Sequence, residues 1–149
     1  YRQMKSVRKD ARLKSIWVCG ILICAVSLLC VNVMKVLWGR PRFYVLNESI
    51  LFQEWYRFTG PVFTNDSLKS FPSGHTAASA DIIWITLFPD RTEDHRLKKG
   101  FLYGLTAVHI ILTALSRIMA GMHFISDTMA GAAVTVLVFT EVKYSLYDA

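Results

Sequence analysis

The sequence predicts an all-α fold: an integral-membrane helical bundle with four spanning helices. Two observations carry this. Of the 149 residues, 53% are hydrophobic, and they gather in long continuous runs separated by polar, Gly- and Pro-containing stretches. A third observation excludes the alternative, because strands that cross a membrane alternate apolar with polar residues and these runs do not.

The first run, Ile16 to Met34, is 19 residues long and carries no charge; at about 1.5 Å per residue it matches the roughly 30 Å hydrocarbon thickness. It is predicted as the first spanning helix. Pro72 to Pro89 is the second, shorter, opening with small residues and carrying one acid, Asp81. After a polar stretch, Asp90 to Gly100, comes a third run, Phe101 to Leu115, interrupted only by His109, and then a fourth from about His123 to Thr140. Residues 43–71 differ: Phe43, Tyr44, Phe52, Trp55, Tyr56, Phe58 and Phe63 alternate with polar residues and Gly60-Pro61. Trp and Tyr favour the headgroup level, so this segment is predicted as an outer interfacial loop within a single membrane-embedded domain covering residues 1–149.

The net charge of +6 is unevenly placed. Arg2, Lys5, Arg8, Lys9, Arg12 and Lys14 precede the first run, and Arg91, Arg96, Lys98 and Lys99 share one polar stretch. Neither cluster has interleaved aromatics or a groove-reading motif, so no nucleic-acid partner is expected. If the first two helices both cross, the clusters share a side, which the positive-inside rule makes cytoplasmic. Membrane lipids are then partners of the amino-terminal arm. Cys19, Cys24 and Cys30 sit in one apolar run, with no metal spacing, and read as packing residues. The chain starts at Tyr1 without an initiator Met or a signal-peptide pattern, as expected of a piece of a longer protein.

This topology collects Lys35, Arg40, Arg42, His75, Arg117, His123 and Asp127 at the outer face. Ionisable groups at membrane depth mark functional sites. In Ser70-Phe71-Pro72-Ser73-Gly74-His75-Thr76, Ser is a good cap, Pro suits an early helical position and Gly admits a ligand to the backbone, so free N–H groups would face an anion. Alone, a capped helix that happens to carry a histidine explains the segment better. His123 and Asp127 are four apart, hence on one helical face, where the carboxylate can accept the imidazole N–H and leave the other nitrogen to attack. Alone, a structural His–Asp pair explains that spacing as well.

Together the residues resemble the three motifs of the type 2 phosphatidic acid phosphatase superfamily, which is related to vanadium haloperoxidases. They are Lys35-Val-Leu-Trp-Gly-Arg-Pro-Arg42, Pro72-Ser73-Gly74-His75, and Ser116-Arg117 with His123 and Asp127. The first departs slightly: Phe43 stands where the family has Pro. Lys35 and Arg42 keep the family spacing, which favours Arg42 over Arg40 as the phosphate ligand. Members usually have six membrane helices with the motifs on the later four, implying that two helices are missing before Tyr1 or that the chain is a piece of a longer protein. The loop before Pro72 is similar to that of Gram-positive members, which implies a bacterial cell membrane; the positive-inside rule then puts the amino-terminal arm in the cytoplasm and the site on the outward face.

The resemblance implies hydrolysis of a lipid phosphate or diphosphate. His123 would be the nucleophile forming a phosphohistidine, Asp127 its orienting partner, and His75 the general acid and then base. Lys35, Arg42, Ser73, Gly74 and Arg117 would clamp the phosphate oxygens. No cluster offers carboxylates for Mg²⁺ or His and Cys at zinc spacing, so no metal or cofactor is expected. Two alternatives stay open: a membrane phosphatase or phosphotransferase for a soluble phosphoester, and a non-catalytic membrane protein that retains the motifs. The residues do not choose among lipid phosphates or set an oligomeric state. Asp81 and His109 are expected to make polar contacts within the bundle. Trp17, Trp38, Trp55 and Trp84 are expected to anchor or pack. Asn47-Glu48-Ser49 and Asn65-Asp66-Ser67 match the glycosylation pattern, a match that arises easily by chance.

Overall fold

A computed structural model describes residues 2–89 and 95–147, with side chains from residue 7 onward. Every regular element among the described residues is helical. Helix α1 covers Arg2–Trp38, α2 covers Gly74–Ala80, α3 covers His95–Met119 and α4 covers Ile125–Val142. Helix α1 extends past both ends of the expected apolar run; on the amino-terminal side the arm has no Gly or Pro and is rich in Lys and Arg, good helix formers. It stops at Gly39, whose φ is +65°. A Cβ at that position would stand 2.3 Å from Thr59 Oγ1, so both conformation and space require glycine.

The second predicted helix is two segments. Beyond α2 the chain tightens into a 3-10 helix over Asp81–Leu87. The change coincides with Ile82, Ile83 and Ile85, β-branched residues that crowd an α-helical turn. Trp84 in this segment lies over α1 at Gly20, where a Cβ would be 2.8 Å from the indole. Helix α3 starts at His95, inside the stretch expected to be a loop, so Arg96, Lys98 and Lys99 ride on its first turns, while Arg91 lies outside the described residues. Helix α4 starts at Ile125, two residues after His123, and continues into one π-helical turn, Lys143–Tyr147.

Among the described residues three segments are long and apolar enough to cross a membrane, Val7–Val45, His95–Met119 and Ile125–Tyr147. The segment Gly74–Leu87 is not among them: its α and 3-10 parts together rise about 25 Å. It is nevertheless the centre of the bundle, with α2 packed against α1, α3 and α4. The apolar core joins Ile16, Cys19 and Ile23 of α1 to Ile83, Leu87 and Phe139, and Cys19 packs there as a small apolar group. Polar contacts supplement it, as they do between membrane helices. Asp81 accepts a 2.6 Å bond from Ser27 Oγ, Thr135 Oγ1 donates to the Ala77 carbonyl at 3.1 Å, and His109 Nδ1 lies 3.3 Å from the Ser79 carbonyl. Asp81 and His109 are thus bundle contacts. Outside, Leu29, Val33, Val108, Ile111 and Leu112 are exposed, a surface suited to hydrocarbon.

Residues 43–71 fold over the end of α1. The Trp38 ring lies 4.1 Å from that of Phe58 and 4.8 Å from that of Phe71. Val62 N–H donates to the Val36 carbonyl at 2.8 Å, and Arg42 N–H to the Ser67 carbonyl at 2.9 Å. Asn47 and Asn65 turn the loop with their side chains, each accepting from the backbone N–H two residues on, at 2.9 and 3.0 Å. Both Asn-X-Ser matches thereby have a local structural reason.

Candidate active site

Helix α4 opens with an aspartate at its third position, where a carboxylate can reach back to an N–H left free by the helix start. Asp127 Oδ2 accepts from the Phe124 N–H at 2.9 Å and from Ser70 Oγ at 2.5 Å, while Oδ1 pairs with the Arg40 guanidinium. The carboxylate is fully buried, and Arg40 is only 2% exposed. Arg40 is further occupied by Ser126 Oγ at 2.7 Å, by the Gln53 carbonyl at 2.9 Å, and by the Phe124 ring 4.3 Å below it. Its charge is committed to the fold.

His123 lies just before α4, not on its first turn, so the pair expected on one helical face is arranged differently. His123 Nδ1 is 2.8 Å from the Ser70 carbonyl and 3.7 Å from Asp127 Oδ2. A carbonyl only accepts, so Nδ1 carries the proton and Nε2 keeps its lone pair. Ser70 therefore links the two: its carbonyl holds the imidazole and its hydroxyl holds the carboxylate. The preceding carbonyl, Lys69 O, accepts from Lys35 Nζ at 3.3 Å. Two consecutive carbonyls thus tie a cation of α1 and the imidazole before α4 to one stretch of loop.

Beside this hub a cleft of about 510 Å³ is lined by Lys35, Arg42, Asp66, Lys69, Gly74 and His75 at its polar end. Arg42 touches Met122 Sδ at 3.4 Å, and its Nε is buried with no hydrogen-bond partner. A buried donor left unmatched calls for an acceptor, and an anionic oxygen in the cleft would supply one. Lys69 bonds Asp66 at 2.9 Å, which holds that carboxyl below its ordinary value. The cations Arg117, Lys35 and Arg42 stand near enough to act on the His75 ring. Gly74 opens α2 with no side chain, and a Cβ there would lie 3.4 Å from Lys35 Cε.

The head of α2 is fixed from behind. Ser73 caps it, its Oγ accepting from Thr76 N–H at 3.3 Å and Thr76 Oγ1 at 3.0 Å, and its own N–H donates to the Asp127 carbonyl at 2.8 Å. Helix α4 can come this close because residue 131 is glycine; a Cβ there would be 2.3 Å from the Ser73 carbonyl oxygen. No group of three or more His, Cys, Asp or Glu among the described residues is placed to hold a metal ion.

The family profile of the PAP2 superfamily matches residues 16–149. The chain belongs to that superfamily. It is similar to phosphatidylglycerophosphatase B of Bacillus subtilis (strain 168), 30% identical over 115 residues that cover 74% of this chain and 55% of the relative, so it spans about half the length of that protein. No solved structure matches it.

Of the PAP2 motif residues, Lys35, Arg42, Gly74 and His75 line the one cleft. Ser73 stands behind it as the cap, with its hydroxyl hydrogen unused by either Thr76 contact. His123 borders a neighbouring cavity of about 440 Å³ with Arg40, Phe43, Phe52 and Phe124, and Arg117 lies in the last turn of α3 bonded to Ser116 Oγ at 3.2 Å. Sequence reasoning missed Asp66 and Lys69 in the cleft wall, Ser70 as the linking residue and Gly131 as the close approach. Ser70 lies two residues before the second motif, but its role depends on a loop whose path no spacing encodes.

Proposed function

We propose that this chain is the catalytic core of a phosphatase that hydrolyses a lipid phosphate or diphosphate, without a metal, through a phosphohistidine. The observation that carries the reading is the convergence of Lys35, Arg42 and Lys69 on one cleft at the head of α2, with the buried Nε of Arg42 unpartnered. Phosphoryl transfer needs mainly positioning and charge stabilisation, and convergent cations provide both.

In the first step the His123 Nε2 lone pair attacks phosphorus and the bond to the ester oxygen breaks; His75 gives its proton to the departing oxygen. The imidazole becomes cationic, and the Ser70 carbonyl and the Asp127 carboxylate stabilise it from the Nδ1 side. In the second step water attacks phosphorus as His75 takes its proton, the P–N bond breaks, and Nε2 recovers its lone pair. Lys35, Arg42 and Arg117 hold the non-bridging oxygens throughout, with the Gly74 N–H and the Ser73 hydroxyl.

We also propose that Gly74–Leu87 makes a fourth crossing. Its head lies against Lys35, while its last carbonyls, Leu87, Phe88 and Pro89, accept from Arg12 at 3.2, 2.9 and 3.0 Å. Between Arg12 and Lys35, α1 rises about 34 Å, enough for a bilayer core. The basic arm then lies in the cytoplasm and the cleft opens on the opposite face.

The test is phosphate release from a panel of lipid phosphates in EDTA, native chain against His123→Ala. Release by the native protein, with a loss on the order of 10⁴-fold or more in the variant, is expected for a covalent nucleophile. Release that survives the substitution in a folded variant would remove the phosphohistidine mechanism.

A further inference from the structure

The cleft carries one group that anion binding does not explain. Among the described lining residues Asp66 is the single acid, set among Lys35, Arg42 and Lys69 at the polar end. A carboxylate there repels the anion that the cations attract. The fold does not require it. The 3-10 turn Asp66–Leu68 is capped by the Asn65 side chain and closed by the Lys69 N–H on the Asp66 carbonyl at 3.2 Å, so the Asp66 carboxylate takes no part in the turn. Its one side-chain contact among the described residues is Lys69 Nζ at 2.9 Å, and an ion pair so open to solvent contributes little stability. Its position is nevertheless fixed. The Arg42 N–H donates to the Ser67 carbonyl at 2.9 Å and Lys35 Nζ to the Lys69 carbonyl at 3.3 Å, which fastens the turn to both cations. Lys69 Nζ is itself divided between Asp66 and the Phe63 carbonyl at 3.0 Å.

The cations of the cleft are therefore of two kinds. Among the described residues the Lys35 side chain bonds a neutral carbonyl and that of Arg42 only Met122 Sδ, so both keep their charge for a ligand. The charge of Lys69 is already matched. We infer that Asp66 is a specificity-determining residue: by holding Lys69 it leaves the cleft matched to one phosphate group, so that a lipid monophosphate is preferred to the diphosphate of the same chain. The inference rests on the phosphatase reading and narrows its substrate class. One phosphate is met by Lys35 and Arg42. A second, in the same cleft of about 510 Å³, has Lys69 left to it and meets the Asp66 carboxylate as well.

The test compares kcat/KM for a lipid monophosphate and the diphosphate of the same chain, on the full chain in mixed micelles. Asp66→Asn is expected to raise the diphosphate-to-monophosphate ratio about fivefold, the effect of one unit charge at contact distance through water. In about 1 M salt, where the screening length is about 3 Å, that gain should shrink. Lys69→Gln is expected to move the ratio the other way, by lowering diphosphate turnover more than monophosphate turnover. An unchanged ratio in folded Asp66→Asn overturns the inference, as does a gain that high salt leaves intact, which a merely structural role would give. Equal losses on both substrates in Lys69→Gln overturn it too. Calorimetry supplies a readout independent of turnover, with inorganic phosphate and pyrophosphate titrated into the native chain and Asp66→Asn. The variant is expected to gain about fivefold in affinity for pyrophosphate relative to phosphate, and no relative gain overturns the inference. If the native chain hydrolyses neither lipid, the phosphatase reading fails, and the titration still decides whether Asp66 sets the charge that the cleft accepts.

Discussion

Each end of the bundle is tied by an arginine, and the described contacts of the two differ. Arg40, at the cleft end, is buried against a fully buried carboxylate. Arg12, at the other end, is half-buried, and its contacts among the described residues include the last three carbonyls of the Asp81–Pro89 segment and Tyr147 Oη at 3.3 Å. A cation on the free carbonyls of a helix end is satisfied wherever the end moves, within limits, because water can replace it. A desolvated ion pair has no such substitute. The cleft end is therefore the rigid one. That rigidity falls where Asp127, Ser70 and His123 must keep fixed relative positions, whereas the opposite end only closes the bundle.

The largest expected effect comes from breaking the buried tie. Arg40→Ala leaves the Asp127 carboxylate without its cation and is expected to cost about 3–5 kcal/mol of stability, read as a fall in Tm in detergent. Phosphate release is expected to fall with it, because Ser70 and His123 are held through the same carboxylate. Retained Tm in Arg40→Ala would show that the two ends are not different in kind. Gly131→Ala attacks the rigid end without touching a charge. Its methyl would meet the Ser73 carbonyl at a distance no packed atom tolerates, so α4 must move away from the head of α2. Overpacking of this kind costs about 1–3 kcal/mol; activity is expected to drop more than stability does, since the contact that is lost positions the head of α2, which carries Gly74 and His75. The matching experiment at the other end is Arg12→Ala. It should lower Tm by the equivalent of about 1–2 kcal/mol, the value of charge-assisted bonds to a helix end, with kcat/KM preserved below the melting range.

The contrast between the ends was only partly legible in the sequence. The charge-free run from Ile16 announces α1, since nothing but burial or lipid accommodates it, but not its full extent, which depends on the propensity of the basic arm. The second helix was legible as an apolar run; its switch to 3-10 winding at Asp81 was not, because β-branched residues such as Ile82, Ile83 and Ile85 crowd a helical turn without dictating which winding relieves it. Arg42 was preferred to Arg40 by spacing, and the structure places Arg42 in the cleft. That Arg40 instead serves Asp127 depends on contacts 87 residues apart. His123 and Asp127 were legible as a pair through their spacing, yet the helix begins between them. Asp127 was read as a helical neighbour, whereas it acts as the residue that closes the helix start. Lys69, Ser70 and Asp66 belong to an irregular loop, where no periodicity marks which side chains face inward.

The Asp66–Lys69 contact is the counterexample that sharpens the comparison, an ion pair at the same end as Arg40–Asp127 but open to solvent on the carboxylate side, with Asp66 84% exposed. Exposed pairs are screened and contribute little. Asp66→Asn is therefore expected to leave Tm nearly unchanged, in contrast to Arg40→Ala at the same end of the bundle. Its pH signature has a definite sign. Lys69 lowers the Asp66 pKa, so whatever the pair contributes is present above the ordinary carboxyl range and is lost as pH falls through the lowered value. The small Tm difference between native and variant should close on acidification and should shrink with added salt at neutral pH. A difference that instead persists in high salt would mean that Lys69 is held as tightly as Arg40, and that rigidity at this end extends to the mouth of the cleft.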